Sequence, residues 1–167
     1  MKVIGVISDT HGRVHERVGE LFAGVSRILH AGDVGGDDVL LYLENIAPVT
    51  AVRGNMDRYA GAERLPSETR VEIDRLRVLV VHDGCGWLLD HDAAARAGVD
   101  VLVAGHTHVP ATEAFDGLLH LNPGSASRPG SGREPTVALL EAVDGRPVAR
   151  IVPLSGEMMW AGRGGRI

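Results

Sequence analysis

The chain has 167 residues, of which 44% are hydrophobic and 23% charged, and this composition is typical of one globular domain with its own core. A net charge of −5 and an aromatic content of 4% argue against a protein that binds duplexes through a basic surface or stacks single-stranded bases. Cys85 is the only cysteine, so no intrachain disulfide is possible, and we expect it to be buried. No apolar run approaches the roughly 18 residues of a membrane span, so we expect a cytoplasmic protein with neither a membrane nor a specific nucleic-acid partner.

The first half of the chain alternates between predicted strands and helices. Residues 1–8 are apolar and rich in β-branched side chains, as in a central strand buried on both faces. Apolar residues at helical spacing over 14–29 predict an amphipathic helix that leads into a strand near 27–30. A helix over 38–45 and a strand over 49–52 follow. The result is a β-α-β-α-β pattern, in which parallel strands share one sheet.

The second half is richer in hairpins. Its predicted elements are strands at 69–73, 76–81 and 99–104, a helix over 88–97, and hairpins around Asp116-Gly117 and Asp144-Gly145. Together the two halves predict an α/β fold: a four-layer α-β-β-α sandwich of two mixed β-sheets flanked by helices. We expect a single domain over residues 1–155, followed by a tail over 156–167 that is either flexible or docked on a neighbour.

Five of the predicted strands end in side chains that carry lone pairs. The most distinctive of these ends is Gly105-His106-Thr107-His108, where two imidazoles follow an apolar run. The others are Ser8-Asp9-Thr10-His11, Ala31-Gly32-Asp33, Arg53-Gly54-Asn55-Met56-Asp57 and Val80-Val81-His82-Asp83. Each stretch alone has an ordinary explanation as a cap or a turn. Their repetition at the strand ends, where open α/β sheets bind ligands, predicts a metal centre.

The candidate ligands combine nitrogen and oxygen donors without any thiolate. They are Asp9, His11, Asp33, Asn55, His82, His106 and His108. This set suits two divalent transition-metal ions, with manganese the leading candidate and zinc, iron, nickel or cobalt as alternatives. Two such ions held about 3.5–4 Å apart need a bridging anion, for which Asp33 is suited. They would clamp a phosphoryl group and provide a bridging hydroxide for in-line attack.

The ordered motifs resemble those of the calcineurin-like metallophosphoesterase superfamily, and in particular its small prokaryotic phosphodiesterases of the YfcE kind. The resemblance covers residues 9–125 and includes Asn122-Pro123-Gly124-Ser125 after the paired histidines. It implies one metal held by Asp9, His11, Asp33 and His108, and a second held by Asp33, Asn55, His82 and His106. It also implies catalytic roles for Asn55, Asp57 and His82, and a small phosphodiester as the substrate.

Two positions depart from the pattern of that superfamily. Many members carry a histidine that can protonate the leaving group where this chain has Met56. Without it, catalysis is expected to favour good leaving groups such as those of aryl phosphodiesters. The family also often continues with His-Gly-His where this chain has His82-Asp83-Gly84. The second departure bears on the choice of substrate more than on the chemical step.

Other residues and functions stay open at this stage. Arg53, Arg128 and Arg133 could each reach a phosphate, although an ordinary solvated arginine is the commoner case. His15 is expected to face solvent, and His30 to lie in the core or behind the ligands. The alternatives to a phosphodiesterase are a phosphomonoesterase, a cyclic-nucleotide phosphodiesterase, or a scaffold on the same fold, as in the related retromer subunit. A homo-oligomer is also compatible with the sequence.

Overall fold

The computed structural model describes residues 2–89, 97–115, 117–154 and 158–160. In chain order the elements are β1 (Val3–Ile7), β2 (Arg13–His15), α1 (Arg17–Leu21), β3 (Arg27–His30), α2 (Asp37–Glu44), β4 (Val49–Ala51), a 3₁₀ turn (Ala62–Arg64), β5 (Glu68–Ile73), β6 (Leu76–Val81), α3 (Cys85–Leu89), β7 (Val101–Val103), β8 (Ala111–Phe115), β9 (Leu118–Asn122), β10 (Thr136–Val143), β11 (Arg146–Pro153) and β12 (Met158–Trp160).

Ten of these strands form two mixed sheets of five strands each. The first sheet has the order β11-β10-β1-β3-β4, in which β1, β3 and β4 are parallel and β10 and β11 are antiparallel. The second has the order β5-β6-β7-β9-β8, with β6, β7 and β9 parallel. Parallel strands send all their carboxyl ends to one edge, so each sheet presents one edge that can carry a site.

The two sheets pack face to face through a core of mainly β-branched and leucine side chains. Val6 and Leu29 of the first sheet meet Val80 and Val103 of the second in this layer. The outer face of the first sheet is covered by α1 and α2, and that of the second packs against Leu88 of α3. The predicted α/β class with two mixed sheets flanked by helices is therefore confirmed, and the rigid double layer fixes both strand-end edges.

The strand predictions agree with the structure more closely than the helix prediction over 14–29. Only Arg17–Leu21 is helical, because residues 13–15 form β2 and Gly24 adopts a left-handed turn with φ of 83°. His15 is fully buried rather than solvated, since it belongs to this strand. Cys85 is exposed rather than buried, at the start of the short helix α3. Most of the helix predicted over 88–97, and Asp116 of one hairpin turn, lie outside the described residues.

Part of the predicted tail is an added strand. β12 pairs antiparallel with β2, with Met158 opposite His15 and Trp160 opposite Arg13. The domain boundary at residue 155 stays a prediction. No helix among the described residues is long and apolar enough to cross a membrane.

We predict that Gly5 and Phe22 are energetically coupled. A Cβ added at Gly5 would lie 2.9–3.0 Å from the ring carbons of Phe22, which is fully buried. Gly5→Ala should therefore lower the free energy of unfolding by roughly 1–3 kcal/mol through overpacking. In a Phe22→Leu background the same change should be much less destabilising. A urea double-mutant cycle measures the coupling, and additive effects would contradict this packing account.

Candidate metal centre

The predicted ligands lie at the carboxyl ends of five strands, where the two sheets meet. Asp9 and His11 follow β1, Asp33 follows β3 and Asn55 follows β4. From the second sheet, His82 follows β6, and the paired histidines of Gly105-His106-Thr107-His108 follow β7. Because the sheets pack face to face, these edges are adjacent. The structure therefore brings side chains that are distant in sequence to one place.

The backbone at this edge is strained in the same way at five of the seven positions. These residues have left-handed backbone conformations: Asp9 (φ 54°), His11 (φ 46°), Asp33 (φ 52°), His106 (φ 69°) and His108 (φ 59°). Such a conformation costs a residue other than glycine about 1–2 kcal/mol. The other non-glycine residues of this kind in the described chain lie in hairpin turns. Concentrated strain is typical of functional sites, where it holds side chains in place.

One group of four donors is compact enough to hold a cation. Ligand atoms of Asp9, His11, Asp33 and His108 all lie within 4.8 Å of one another. His108 Nε2 is 3.1 Å from Asp9 Oδ1 and 3.4 Å from His11 Nε2. His11 Nε2 is 3.9 Å from Asp33 Oδ2. These are the residues predicted for the first metal.

The remaining predicted ligands gather around the amide of Asn55. His82 Nε2 is 2.9 Å from Asn55 Oδ1, and His106 Nδ1 is 3.1 Å from the same oxygen. His82 Nε2 also lies 3.5 Å from Asp33 Oδ1. Asp33 thus has one carboxylate oxygen towards each group. All seven predicted ligands are within this pair of neighbouring groups.

Two imidazoles are oriented by backbone carbonyl groups. His82 Nδ1 donates to the carbonyl of Ala31 at 2.8 Å, and His108 Nδ1 donates to that of Arg128 at 2.6 Å. In the neutral rings the lone pair is then on Nε2, which faces a carboxylate in both cases. Asp9 Oδ1 is buried and makes no hydrogen bond within the described part of the chain. Lone pairs that face one another without a proton between them fit a bound cation.

Burial and charge shift the ionisation of these groups in different directions. Burial raises the pKa of Asp9 and lowers the pKa of His11. Burial also opposes ionisation of Asp33, but the neighbouring His82 and the hydrogen bond from the Met56 N–H outweigh it and hold the pKa of Asp33 below its ordinary value. For His82, burial is likewise outweighed by Asp33 and the Ala31 carbonyl, so its pKa is raised. Asp33 is therefore ionised, and its negative charge lies between the two groups of donors.

Three glycines allow these side chains to approach closely. A Cβ on Gly105 would collide with Ser8 Oγ and the carboxylate of Asp9, and one on Gly54 would collide with Asp33. A Cβ on Gly32 would meet the ring of His82. The glycines of the Gly-Asp, Gly-Asn and Gly-His motifs are therefore needed for space as well as for turning the chain.

His30 supports the site from behind. It is fully buried, and burial lowers its pKa to about 3, so its ring is neutral. The Gly32 N–H donates to His30 Nδ1, which leaves Nε2–H to donate to Thr10 Oγ1 at 2.9 Å. The Thr10 hydroxyl in turn donates to the carbonyl of Val34 at 2.8 Å. His30 thus connects the loops after β1 and β3, as expected for a core residue behind the ligands.

Asp57 is bound to the backbone of two loops that carry predicted ligands. It is buried, and its two oxygens accept hydrogen bonds from the backbone N–H groups of Gly35 and Gly54, each at 2.8 Å. These bonds join the loop of Gly35 to the loop of Gly54. Each oxygen keeps a second lone pair, so the catalytic role of Asp57 stays a prediction.

A serine and asparagine network was not assigned a role from the sequence. Ser125 and Ser127 donate to the backbone carbonyl of Asp9 at 2.9 and 3.1 Å. Asn122 donates to the Gly105 carbonyl at 2.8 Å and holds the loop of the paired histidines. The Asn122-Pro123-Gly124-Ser125 motif was the available signal, because polar residues that end β9 must lie at the same edge as the ligands.

The three arginines considered for phosphate contact differ in their position relative to the donors. Arg53 lines a cavity of about 400 Å³ together with Asn55, His82 and His106. Arg128 is exposed, and its charge contributes to lowering the pKa of His11. Arg133 is exposed, and its backbone N–H donates to Gly130 of its own loop. The geometry thus places Arg53 and Arg128 near the donors and gives no such support to Arg133.

A model of the calcineurin-like phosphoesterase superfamily domain matches residues 1–145, which is most of the chain. The chain belongs to this superfamily. The family and the donor cluster together imply divalent metal ions. The resemblance drawn from the motifs is thereby confirmed, and so is the expectation of a metal-dependent phosphoesterase.

Two relatives match most of this chain. A probable metallophosphoesterase of Methanothermobacter thermautotrophicus is 40% identical over 152 residues, which cover 86% of this chain and 87% of the relative. The phosphodiesterase YfcE of Escherichia coli is 33% identical over 160 residues, covering 80% of this chain and 84% of YfcE. The solved structure of YfcE, described as a phosphoesterase, superposes with a TM-score of 0.65 at 27% identity and covers 92% of this chain and 100% of that chain.

Structural similarity also reaches Vps29 of Chaetomium thermophilum. Its structure superposes with a TM-score of 0.73, covering 97% of this chain and 100% of that chain, at 21% identity. At this level of identity the similarity supports the two-sheet fold alone. It carries no information on whether this phosphoesterase acts as a scaffold.

We predict that Asp57→Asn destabilises the protein even when no metal is bound. The amide NH₂ would face a backbone N–H that the carboxylate now accepts, which should lower the free energy of unfolding by roughly 1–3 kcal/mol. Urea unfolding in chelator-treated buffer measures this change. A matched control is Asp37→Asn, since Asp37 makes an exposed ion pair with Arg64 at 3.1 Å, and its change should stay within about 0.5 kcal/mol. Equal stability of Asp57→Asn and the wild type would contradict a structural contribution from these two hydrogen bonds.

Proposed function

We propose that this protein is a phosphodiesterase whose centre holds two divalent cations. The observation that carries this proposal is the position of Asp33 between the two donor groups. Its Oδ1 lies 3.5 Å from His82 Nε2, and its Oδ2 lies 3.9 Å from His11 Nε2. A carboxylate with one oxygen towards each group is suited to bridging two ions. Asp9, His11 and His108 would complete one coordination shell, and Asn55, His82 and His106 the other.

Two divalent ions held by these residues would supply neutralisation of the phosphoryl charge and a lowered pKa for bound water. The residues of the chain supply the geometry for this chemistry. Asp33 brings the negative charge between the two groups, while the backbone carbonyls of Ala31 and Arg128 fix the rings of His82 and His108. His82 and Asn55 also line the adjoining cavity, so in our proposal they face the substrate as well as the metal.

The nature of the donors supports a first-row transition metal. Four imidazoles and two carboxylates, without thiolate, suit manganese, and also zinc, iron, nickel or cobalt. We propose manganese as the activating ion, in keeping with the mixture of oxygen and nitrogen donors.

A diester with a good leaving group fits this site best. Met56 occupies the position where a proton donor could stand, and its side chain is 54% exposed and carries no acidic proton. Asp57 is engaged by two backbone N–H groups. A leaving group that departs as a stable anion needs no proton from the protein. We therefore propose aryl phosphodiesters as the best model substrates.

The first prediction of this proposal concerns metal stoichiometry. The wild type should bind two Mn²⁺ ions per chain, whereas His108→Ala and His106→Ala should each bind one, because each removes a ligand from a different group. Equilibrium dialysis with elemental analysis gives the counts. His120→Gln changes a histidine outside the donor set and should keep two ions. A single ion per wild-type chain would contradict the dinuclear centre while leaving a hydrolase possible.

The second prediction concerns turnover. With Mn²⁺ present, the wild type should hydrolyse bis-p-nitrophenyl phosphate, and Asp33→Ala and His108→Ala should reduce the rate to background. Asp37→Ala removes a carboxylate outside the site and should retain turnover, with circular dichroism as the check on folding. Unchanged rates in Asp33→Ala and His108→Ala would contradict the proposal.

A substrate panel separates the related activities. The linear diester should be hydrolysed faster than p-nitrophenyl phosphate, a monoester, and faster than a 2′,3′-cyclic nucleotide under the same conditions. A reversed order would assign the same metal chemistry to a phosphomonoesterase or a cyclic-nucleotide phosphodiesterase instead.

A further inference from the structure

A cavity of about 400 Å³ opens directly on one side of the metal centre. Asn55, His82 and His106, the donors of one group, form part of its lining. Trp87 of α3 and Glu68 of β5 also line it. A phosphoryl group held at the donors would therefore direct one of its ester groups into this cavity. The cavity therefore offers that ester group contacts that the predicted metal ligands do not provide.

Trp87 gives the cavity a flat aromatic wall. It lies in α3 and is half-buried. The guanidinium carbon of Arg70 is 6.0 Å from the centroid of its ring, and Arg70 lines a different cavity from this one. A cation over an aromatic ring is attracted by the ring face. Arg70 thus steadies the indole from outside the cavity, and Trp87 remains available to a planar group inside it.

The charges of the cavity select against an anionic ester group. Glu68 and Asp83 both line it, and each brings a carboxylate. Asp83 Oδ1 accepts the backbone N–H of Cys85 at 2.9 Å, which fixes this carboxylate at the start of α3. Arg53 is the cation in the described lining, next to Asn55 of the donor group. A phosphoryl oxygen near Arg53 is favoured, whereas a second negative charge near Glu68 and Asp83 is repelled.

We propose that this cavity is the specificity pocket for an aromatic, uncharged ester group of the phosphodiester, stacked on Trp87. The inference rests on the proposed phosphodiesterase function and names its substrate class. A nucleoside or an aryl group meets the requirement because each offers a planar face. A small alkyl ester would leave the indole without a partner, and a ring with its own carboxylate or phosphate would meet the two acidic side chains.

Tryptophan fluorescence tests the stacking without depending on turnover. The chain has two tryptophans, so Trp160→Phe leaves Trp87 as the only one. In Zn²⁺-loaded protein, adenosine 5′-methylphosphate should quench the emission of Trp87 saturably, and dimethyl phosphate at equal concentration should not. Both probes carry alkoxide leaving groups, which a site without a strong acid hydrolyses slowly. Equal quenching by the two probes, or none by either, would overturn the proposal.

Kinetics with a constant leaving group test the same contact in catalysis. Trp87→Leu should raise KM for bis-p-nitrophenyl phosphate by roughly 5- to 150-fold, the range expected for the loss of one aromatic stacking contact. Trp87→Phe should raise KM much less than Trp87→Leu does, because an aromatic ring is retained. A smaller effect on methyl p-nitrophenyl phosphate would place the retained ester in the cavity, and an equal effect would place the leaving group there. Unchanged KM for both substrates in Trp87→Leu would overturn the proposal.

A charged substrate tests the acidic lining. In the wild type, 4-carboxyphenyl p-nitrophenyl phosphate should have a several-fold larger KM than phenyl p-nitrophenyl phosphate, and Glu68→Gln should narrow the difference. An equal KM for the two in the wild type would contradict selection by charge. Failure of the proposed function would look different, since the wild type would then hydrolyse none of these diesters, while the fluorescence of Trp87 would still report on the pocket.

Discussion

The structure around the site depends on seven side chains with lone pairs that lie close together at one edge of the sheets. Asp9 and Asp33 are buried there beside four imidazoles and an amide oxygen. Two of the rings have their N–H groups directed away, towards backbone carbonyls. Acceptors that face one another in a partly buried site repel unless a positive charge lies between them. A bound cation would relieve this repulsion, and the surrounding structure holds these acceptors together.

The packed core stabilises this arrangement of donors. Five of the predicted ligands have left-handed backbone conformations, and Gly54 and Gly105 approach carboxylates too closely for any side chain. Such turns persist only when their two ends are held rigidly. Here each turn starts from a strand in the packed layer between the sheets, and the His30, Asp57 and Ser125 contacts join one turn to the next. The strained turns at the site thus depend on the close packing behind them.

The sequence predicts the strands and the donor side chains at their ends better than it predicts the contacts that support them. Buried parallel strands are continuous apolar runs, so the residue after each run is visible in the sequence, as Asp33 and His82 are. The strand β2, which contains the buried His15, could not be foreseen, because its partner β12 is more than a hundred residues away in the chain. The hydrogen bonds of Asp57 could not be foreseen either. They depend on where the loops of Gly35 and Gly54 lie relative to each other, and no periodicity encodes that distance.

Two features that are far apart in the chain bear on the same property of the substrate. Met56 provides no proton for the leaving group, which favours esters of acidic alcohols such as phenols. Trp87 provides a flat surface for an aromatic ring in the cavity beside the donors. Aryl diesters release good leaving groups and also carry planar rings. The lack of a general acid and the presence of the indole therefore favour the same compounds for independent reasons. The two reasons diverge for a nucleoside ester, which stacks well but leaves as a poor alkoxide. Binding and turnover of nucleoside and aryl diesters should therefore rank differently, because Trp87 acts on the affinity and the proton supply acts on the chemical step.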